Sequence, residues 1–216
     1  GPIMDTEGVK IGAVENLQGI HWQRVTIEGL ANHAGTTPTN LRVDAGLAAA
    51  KINLFLREMV QKSGGVATVG CIEHEPNAIN VIPSRAVMTV DLRNPDKGKL
   101  DADEKSLAAY FKELEETDHV KISSERLTEF DPVLFDENIV QKIEAAASAR
   151  GLNTRRMTSG AGQDAQMMAR ICPTAMIFVP SIKGISHNPR EYTPDEDCVA
   201  GANVFLDVVS EMAGVQ

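Results

Sequence analysis

Two histidine-centred segments, far apart in the chain, carry side chains that could take part in hydrolytic chemistry. The first is Asn32–Pro38, with the sequence NHAGTTP, and the second is Ser186–Pro189, with the sequence SHNP. Each places an imidazole among small, turn-forming residues, where the backbone can approach a ligand closely. His33 could donate a hydrogen bond to a carbonyl oxygen that gains negative charge. A loop histidine that only bonds to backbone fits the same spacing.

A second kind of chemistry is carboxylate binding. Asn80 and Arg93 lie at opposite ends of one predicted hairpin arm, and Arg93 alternates with Asp91 on the polar face of its strand. The guanidinium fork suits bidentate capture of a carboxylate. The alternative is an arginine that pairs with Asp91 or Asp96 on a solvated face.

Two further features are weaker on their own. The small-residue loop Ser159–Asp164 (SGAGQD) could bring backbone N–H groups to an anion or a carbonyl, but the same pattern arises when Asp164 only caps a helix. His187 follows a predicted strand, near the strand ends where α/β sheets hold ligands. It has no second histidine at HxH or HxxxH spacing, so a structural histidine is the alternative to a metal ligand.

Composition limits the class of protein. The formal net charge of −9 argues against nucleic acid as a partner. No apolar run approaches the roughly 20 residues that span a bilayer, so we expect no membrane partner. The three cysteines lie among apolar neighbours without CxxC spacing. They are predicted to be buried thiols in a reducing compartment, and we expect a cytoplasmic protein; they are Cys71, Cys172 and Cys198.

The pattern of elements predicts a ferredoxin-like α+β domain over residues 17–130. Strands are predicted at 20–28, 66–73, 87–93 and 120–127, and helices at 40–62 and 101–116. The order βαββαβ is typical of an antiparallel sheet that is covered on one side by two helices.

The rest of the chain predicts a different layout. Residues 1–16 are predicted to be a glycine-containing lead, and residues 136–150 a helix. The apolar run 174–179 is predicted to be a strand buried on both faces. A last helix carries an apolar stripe on one face, formed by Cys198, Ala202, Phe205, Val209 and Met212. One strand does not make a sheet, so we expect this part to be truncated and to need partners from elsewhere.

Five segments occur together in the order and spacing of one family. They are Asn32–Pro38 followed by Arg42 and Asp44, then Pro76–Pro83 (PNAINVIP), Asp91–Arg93 (DLR), Ser159–Gly162 (SGAG) and Gly184–Pro189 (GISHNP). The chain resembles the N-carbamoyl-L-amino-acid hydrolase and allantoate amidohydrolase group of the M20 metallopeptidase superfamily. The resemblance covers essentially the whole chain.

The resemblance implies an α/β metallopeptidase-like catalytic domain that is interrupted by a lid and dimerisation domain. Residues 17–130 would be the lid, and residues 1–16 and 131–216 would be the remainder of a catalytic domain whose N-terminal half is absent. His33 would polarise the scissile carbonyl, typically in the partner subunit's site, while Asn80 and Arg93 would bind the substrate carboxylate. His187 would ligate one metal, and the substrate pocket would be lined by Gly160, Ala161 and Gly162.

The resemblance also implies cofactors and partners. The full-length enzyme would hold two divalent ions (Zn, Mn, Co or Ni), would act on a small carbamoyl or ureido carboxylate, and would form a homodimer through the lid. The fragment lacks the bridging Asp, the other His and Glu ligands and the general base. We therefore expect it to bind metal weakly at most and to be inactive alone. Gln163 stands where the family usually has His. An M20-type aminoacylase or peptidase and an autonomous dimerisation module are the alternatives.

Overall fold

The computed structural model describes residues 1–214. The helices are α1 (Ile3–Glu7), α2 (Ala45–Ser63), α3 (Lys97–Thr117), α4 (Glu137–Ala149), α5 (Asp164–Met168) and α6 (Asp195–Met212). The strands are β1 (Ile11–Leu17), β2 (Gly19–Glu28), β3 (Asn32–His33), β4 (Val66–Glu75), β5 (Val81–Ile82), β6 (Arg85–Asn94), β7 (Lys121–Phe130), β8 (Val133–Leu134), β9 (Thr154–Ser159) and β10 (Met176–Phe178). Within these residues, every helix is too short or too polar to cross a bilayer.

The chain divides into two compact units. One unit is Gly19–Pro132, and the other combines Gly1–Gln18 with the described residues from Val133 onward. Each unit has its own buried apolar cluster. The first unit therefore interrupts the second in sequence.

The Gly19–Pro132 unit is an antiparallel sheet packed under two helices. Its strand order is β4-β6-β2-β7. In β2 the side chains of Val25 and Ile27 are buried, while Arg24 and Glu28 on either side of this pair are exposed. This alternation puts every second residue under α2 and α3, as the period of two requires. Each strand and helix predicted for this unit corresponds to an observed one.

Helix α2 begins later than the sequence predicts. Residues Thr39–Leu41 form a separate 3-10 turn, and Arg42 has an extended backbone. The Asp44 carboxylate then accepts hydrogen bonds from Gly46 N at 2.9 Å and Leu47 N at 3.0 Å, which starts the helix. The segment before Asp44 is therefore free to shape a loop.

The second unit is built on β1, which the sequence analysis missed. Residues 1–16 were expected to be a lead without a strand, and this prediction is wrong. β1 pairs antiparallel with β8 and β10 and parallel with β9, and Ile11, Val14 and Leu17 are fully buried. Gly12 lies where this strand approaches its neighbour closely, because a Cβ there would lie 3.1 Å from Phe178 Cβ. The unit thus has four strands where one was predicted.

Two expectations about burial in the chain are corrected. The run 174–179 was predicted to be buried on both faces, but β10 spans only Met176–Phe178 and all three residues are half-buried. The cysteines were predicted to be buried, but Cys71, Cys172 and Cys198 are all free and exposed. Position within an apolar stretch therefore did not determine burial.

The apolar stripe of α6 does not face the core of its unit. Phe205 is 61% exposed and Met212 is 54% exposed, whereas Val204 and Val208 are buried. The buried side needs a small residue, because a Cβ on Gly201 would lie 2.5 Å from Val179 Cγ1. The exposed stripe lines an open apolar groove of about 900 Å³ together with β10 and α4.

Gly29, at the end of β2, provides a test of the packing that leads into the His33 segment. A Cβ at this position would lie 2.3 Å from Val43 O, which is a backbone atom and not the end of a flexible side chain. We expect Gly29→Ala to lower the free energy of unfolding by about 1–3 kcal/mol, because the backbone must shift. Urea denaturation followed by the fluorescence of Trp22, the single tryptophan, measures this change.

The matched control is Gly70→Ala on β4. The nearest atom to a Cβ there is Thr89 Oγ1 at 3.8 Å, an ordinary contact. We expect its stability to stay within about 0.5 kcal/mol of the parent. Equal urea midpoints for the two variants would contradict the close approach at Gly29.

Candidate functional site

The His33 segment and the Asn80 segment lie side by side. β3 pairs antiparallel with β5, with His33 opposite Val81. The backbone N–H of Ala34 also donates to Asn80 O at 3.0 Å. Two loops that are far apart in sequence are therefore joined by main-chain hydrogen bonds, and His33 and Asn80 belong to one exposed patch.

The imidazole of His33 has a defined hydrogen-bonding state. Its Nδ1 accepts from Gly35 N at 3.0 Å and from Thr36 N at 3.2 Å. A ring nitrogen that accepts two N–H groups carries no proton, so the neutral ring carries its proton on Nε2. Because His33 is exposed, the Nε2–H group is available to a ligand. The alternative of a loop histidine bonded to backbone therefore holds for Nδ1. It does not involve Nε2, which can donate to a ligand.

Further hydrogen bonds hold the turn that carries this ring. Thr37 Oγ1 donates to His33 O at 2.8 Å. Arg42 donates from Nε to Thr37 O at 3.1 Å and from Nη2 to Ala34 O at 2.6 Å. The sequence analysis noted Arg42 only as a motif member. No local spacing signals a guanidinium that bonds to two carbonyls earlier in the chain.

Asn80 lies at the tip of the connection between β4 and β5. The neighbouring side chain of Ile79 is fully exposed, and Asn77 has a φ of 54°. A cleft of about 380 Å³ opens beside this connection and is lined by His74, Asn77, Ala78, Ile79, Val81 and Pro83. The Asn80 amide is thus presented at an exposed edge of the unit.

Arg93 lies at the opposite end of the sheet from His33 and Asn80. On β6, Arg85 pairs with Glu28, close to the His33 segment, whereas Arg93 pairs with Ile20. The eight residue steps from Arg85 to Arg93 span about 26 Å of extended strand. Within one copy, the structure therefore brings His33 and Asn80 together and separates Arg93 from both.

The guanidinium of Arg93 already holds a carboxylate of its own chain. Nε lies 2.9 Å and Nη2 lies 2.6 Å from oxygens of Asp91. This pairing is the alternative that the sequence analysis left open. The Arg93 side chain is 23% exposed. A two-pronged grip on a carboxylate is thus present at this end of β6.

In the other unit, Gly160, Ala161 and Gly162 form an exposed loop on a buried support. Ser159 Oγ donates to Ala161 O at 2.9 Å, and Gln18 Nε2 donates to Gly160 O at 3.1 Å. The alternative that Asp164 caps a helix is wrong. Gln163 is the N-cap residue of α5, no side-chain cap is formed, and Asp164 lies in the first turn.

His187 lies on an exposed turn with a φ of 54°. Its backbone N–H donates to Glu191 Oε2 at 3.1 Å. The start of the chain buttresses this turn, because Asp5 accepts from Lys183 N at 2.9 Å and a Cβ on Gly184 would lie 2.1 Å from Pro2 Cα. The start of the chain therefore contacts the segment that precedes His187.

The donor set around His187 does not complete a metal site. Among residues 1–214, no three His, Cys, Asp or Glu side chains are grouped so that they could hold a metal ion. Stable metal sites in proteins need several such ligands. The described part of the chain therefore holds no cluster of three ligands and does not fit a pair of ions by itself.

Comparison with known proteins gives a consistent family. The pattern of peptidase family M20/M25/M40 matches residues 2–211. The chain is 38% identical to an N-carbamoyl-L-amino-acid amidohydrolase of Rhizobium meliloti, covering 100% of this chain and 52% of that protein. It is 34% identical to an allantoate amidohydrolase of Escherichia coli, covering 99% and 52%.

A solved structure gives the same result. A hydantoinase/carbamoylase-family amidase from Burkholderia multivorans superposes with a TM-score of 0.94 at 38% identity, covering 96% of this chain and 51% of that one. The chain thus spans about half the length of the curated relatives that it matches. The family match extends over nearly the whole chain, and the chain belongs to the M20/M25/M40 peptidase family.

Proposed function

We propose that this chain is part of a metal-dependent amidohydrolase that cleaves a C–N bond of N-carbamoyl-L-amino acids or of allantoate-like ureido acids. The names of its relatives support this substrate class. The observation that carries the proposal is the Nδ1 of His33, which accepts two backbone N–H groups. It leaves an exposed Nε2–H donor, which is the group that a developing carbonyl oxyanion needs.

The two units take different roles in this proposal. Gly19–Pro132 is assigned as a ferredoxin-like lid and dimerisation domain, which its strand order β4-β6-β2-β7 and its two helices support. The unit built on β1 is assigned as part of the catalytic domain. Its open apolar groove beside α6 supports this assignment, because large exposed apolar patches mark surfaces that another polypeptide covers.

The substrate carboxylate and the scissile carbonyl are assigned to residues from two copies of the chain. Arg93 would bind the substrate carboxylate with the fork that Asp91 now occupies, while His33 and Asn80 would act at the site of the partner subunit. The separation along β6 supports this division, because about 26 Å of strand is far longer than a carbamoyl amino acid. One copy cannot place all three groups on one substrate.

His187 is proposed as one ligand of a divalent ion, with Gly160, Ala161 and Gly162 lining the substrate pocket of the same unit. When bound, such ions (Zn, Mn, Co or Ni) polarise a carbonyl and acidify a water. The remaining ligands and the general base would come from the half of the relatives' length that this chain does not span. The contact made by Gln163 would differ from that of the usual histidine.

The homodimer is proposed to form through β4 and α2. Exposed apolar side chains lie there, including Val66 and Ile72 on β4 and Leu54 on α2, which is 67% exposed. The other edge strand, β7, carries charged residues that include Lys121, Glu125 and Arg126. Charged edges resist pairing, so the apolar edge is the better candidate for strand addition between copies.

The proposal predicts that the 216-residue chain has no turnover by itself. Purified chain with Mn²⁺, Co²⁺ or Zn²⁺ should release no ammonia from N-carbamoyl amino acids or allantoate, because the described residues hold no complete ligand set. An ammonia assay against a blank without protein measures this. Metal-dependent turnover that rises with protein concentration would contradict the assignment.

The dimer surface is tested with two matched substitutions. Ile72 on β4 and Leu127 on β7 are 38% and 39% exposed. We expect Ile72→Lys to yield monomers in sedimentation velocity, because it places a charge on the pairing edge, and we expect Leu127→Lys to stay dimeric. Circular dichroism confirms that both variants fold. A dimer that dissociates only with Leu127→Lys, or a monomeric parent, would contradict the β4 surface.

A further inference from the structure

We propose that Arg42 is a positioning residue that fixes the proton of His33 on Nε2. Arg42 touches neither the imidazole nor a substrate group in this scheme, so it acts through the turn between them. The catalytic consequence rests on the proposed function of His33. The effect on the ring itself does not, and it can be measured on the chain alone.

The geometry of the turn carries the inference. Arg42 donates from Nη2 to Ala34 O and from Nε to Thr37 O, at 2.6 and 3.1 Å. These two carbonyls bracket Gly35 and Thr36, whose N–H groups are the two donors to His33 Nδ1. The guanidinium therefore closes the turn at both ends. A turn that opens at either end loses the alignment of its inner N–H groups.

One backbone hydrogen bond also closes the turn, since Thr37 N donates to His33 O at 3.2 Å. Gly35 is the most flexible residue type, and the segment is exposed. The Thr37 hydroxyl adds a second, neutral hydrogen bond to His33 O. Bonds from a charged guanidinium are stronger than neutral ones, and its rigid fork reaches two carbonyls at once. Arg42 thus adds two charge-assisted cross-links to a turn whose own hydrogen bonds are neutral.

Arg42 is itself held by the frame of the lid. It lies between the 3-10 turn Thr39–Leu41 and the Asp44 cap of α2. The next residue, Val43, accepts from Leu30 N at 2.8 Å, which ties this stretch to the residues that follow β2. The position of the guanidinium therefore follows from the sheet and the helix, and the position of the imidazole follows from the guanidinium.

The consequence of losing Arg42 is a change of hydrogen-bonding state. When the N–H groups of Gly35 and Thr36 leave Nδ1, the neutral ring can take its proton on either nitrogen. The form with the proton on Nδ1 presents a bare lone pair at Nε2, which repels a developing oxyanion instead of stabilising it.

The test is nitrogen NMR of the full 216-residue chain, labelled at histidine and at the backbone. In the parent we expect the two ring nitrogens of His33 to be widely separated in shift, as a single tautomer requires, with His33→Gln providing the assignment. In Arg42→Gln the separation should shrink. Amide exchange of Gly35 and Thr36 should rise at least about tenfold, which equals about 1.4 kcal/mol. Arg42→Lys should lie between, because an ammonium lacks the fork.

Arg24→Gln is the matched control. Arg24 lies on β2 of the same unit and pairs with Glu125 on β7 at 2.8 Å. This variant therefore removes an arginine charge without changing the turn. It should leave the His33 signals unchanged. Unchanged ring shifts and unchanged exchange in both Arg42 variants would overturn the inference. A failure of the proposed function appears separately, as turnover by the chain alone, and leaves these spectra unaffected.

Discussion

Two backbone hydrogen bonds to one nitrogen determine what the candidate site can do. The N–H groups of Gly35 and Thr36 occupy Nδ1 of His33, and they thereby make Nε2 the donor. Both bonds need a closed turn, which is held by Thr37 N donating to His33 O, by the β3–β5 pairing and by the proposed Arg42 cross-links. The sheet of this unit therefore acts as a frame for the orientation of a single imidazole.

The length of β6 sets a second constraint. It places Arg93 at one end of the sheet and the His33–Asn80 patch at the other. A small substrate cannot bridge that length, so the proposed chemistry requires a second copy. The apolar β4 edge offers the contact by which two sheets would join. In this proposal, dimerisation of the lid is needed to complete each active site.

Sequence reasoning succeeded where the signal is local. β2 follows from its β-branched residues, and β6 follows from the alternation of its polar and apolar side chains. It failed for β1, because Gly8 and Gly12 are typical of an irregular segment and because the strands that pair with β1 lie far along the chain. It missed β9 because that strand is polar. Its Arg156 is neutralised by Glu137 and Glu144, which no local pattern reveals. The two hydrogen bonds that Arg42 donates to Ala34 O and Thr37 O are likewise not revealed by any local pattern.

The most direct measurement is turnover by hybrid dimers of a protein that joins these 216 residues to the half of the relatives' length that they do not span. One parent carries His33→Ala and the other carries Arg93→Ala, and each alone should be inactive. Mixed dimers then contain one site with both residues intact. After random exchange of subunits, half of the dimers are mixed and each mixed dimer has one intact site of two, so we expect about a quarter of wild-type turnover. A mixture that stays inactive after mixed dimers have formed would contradict the shared site.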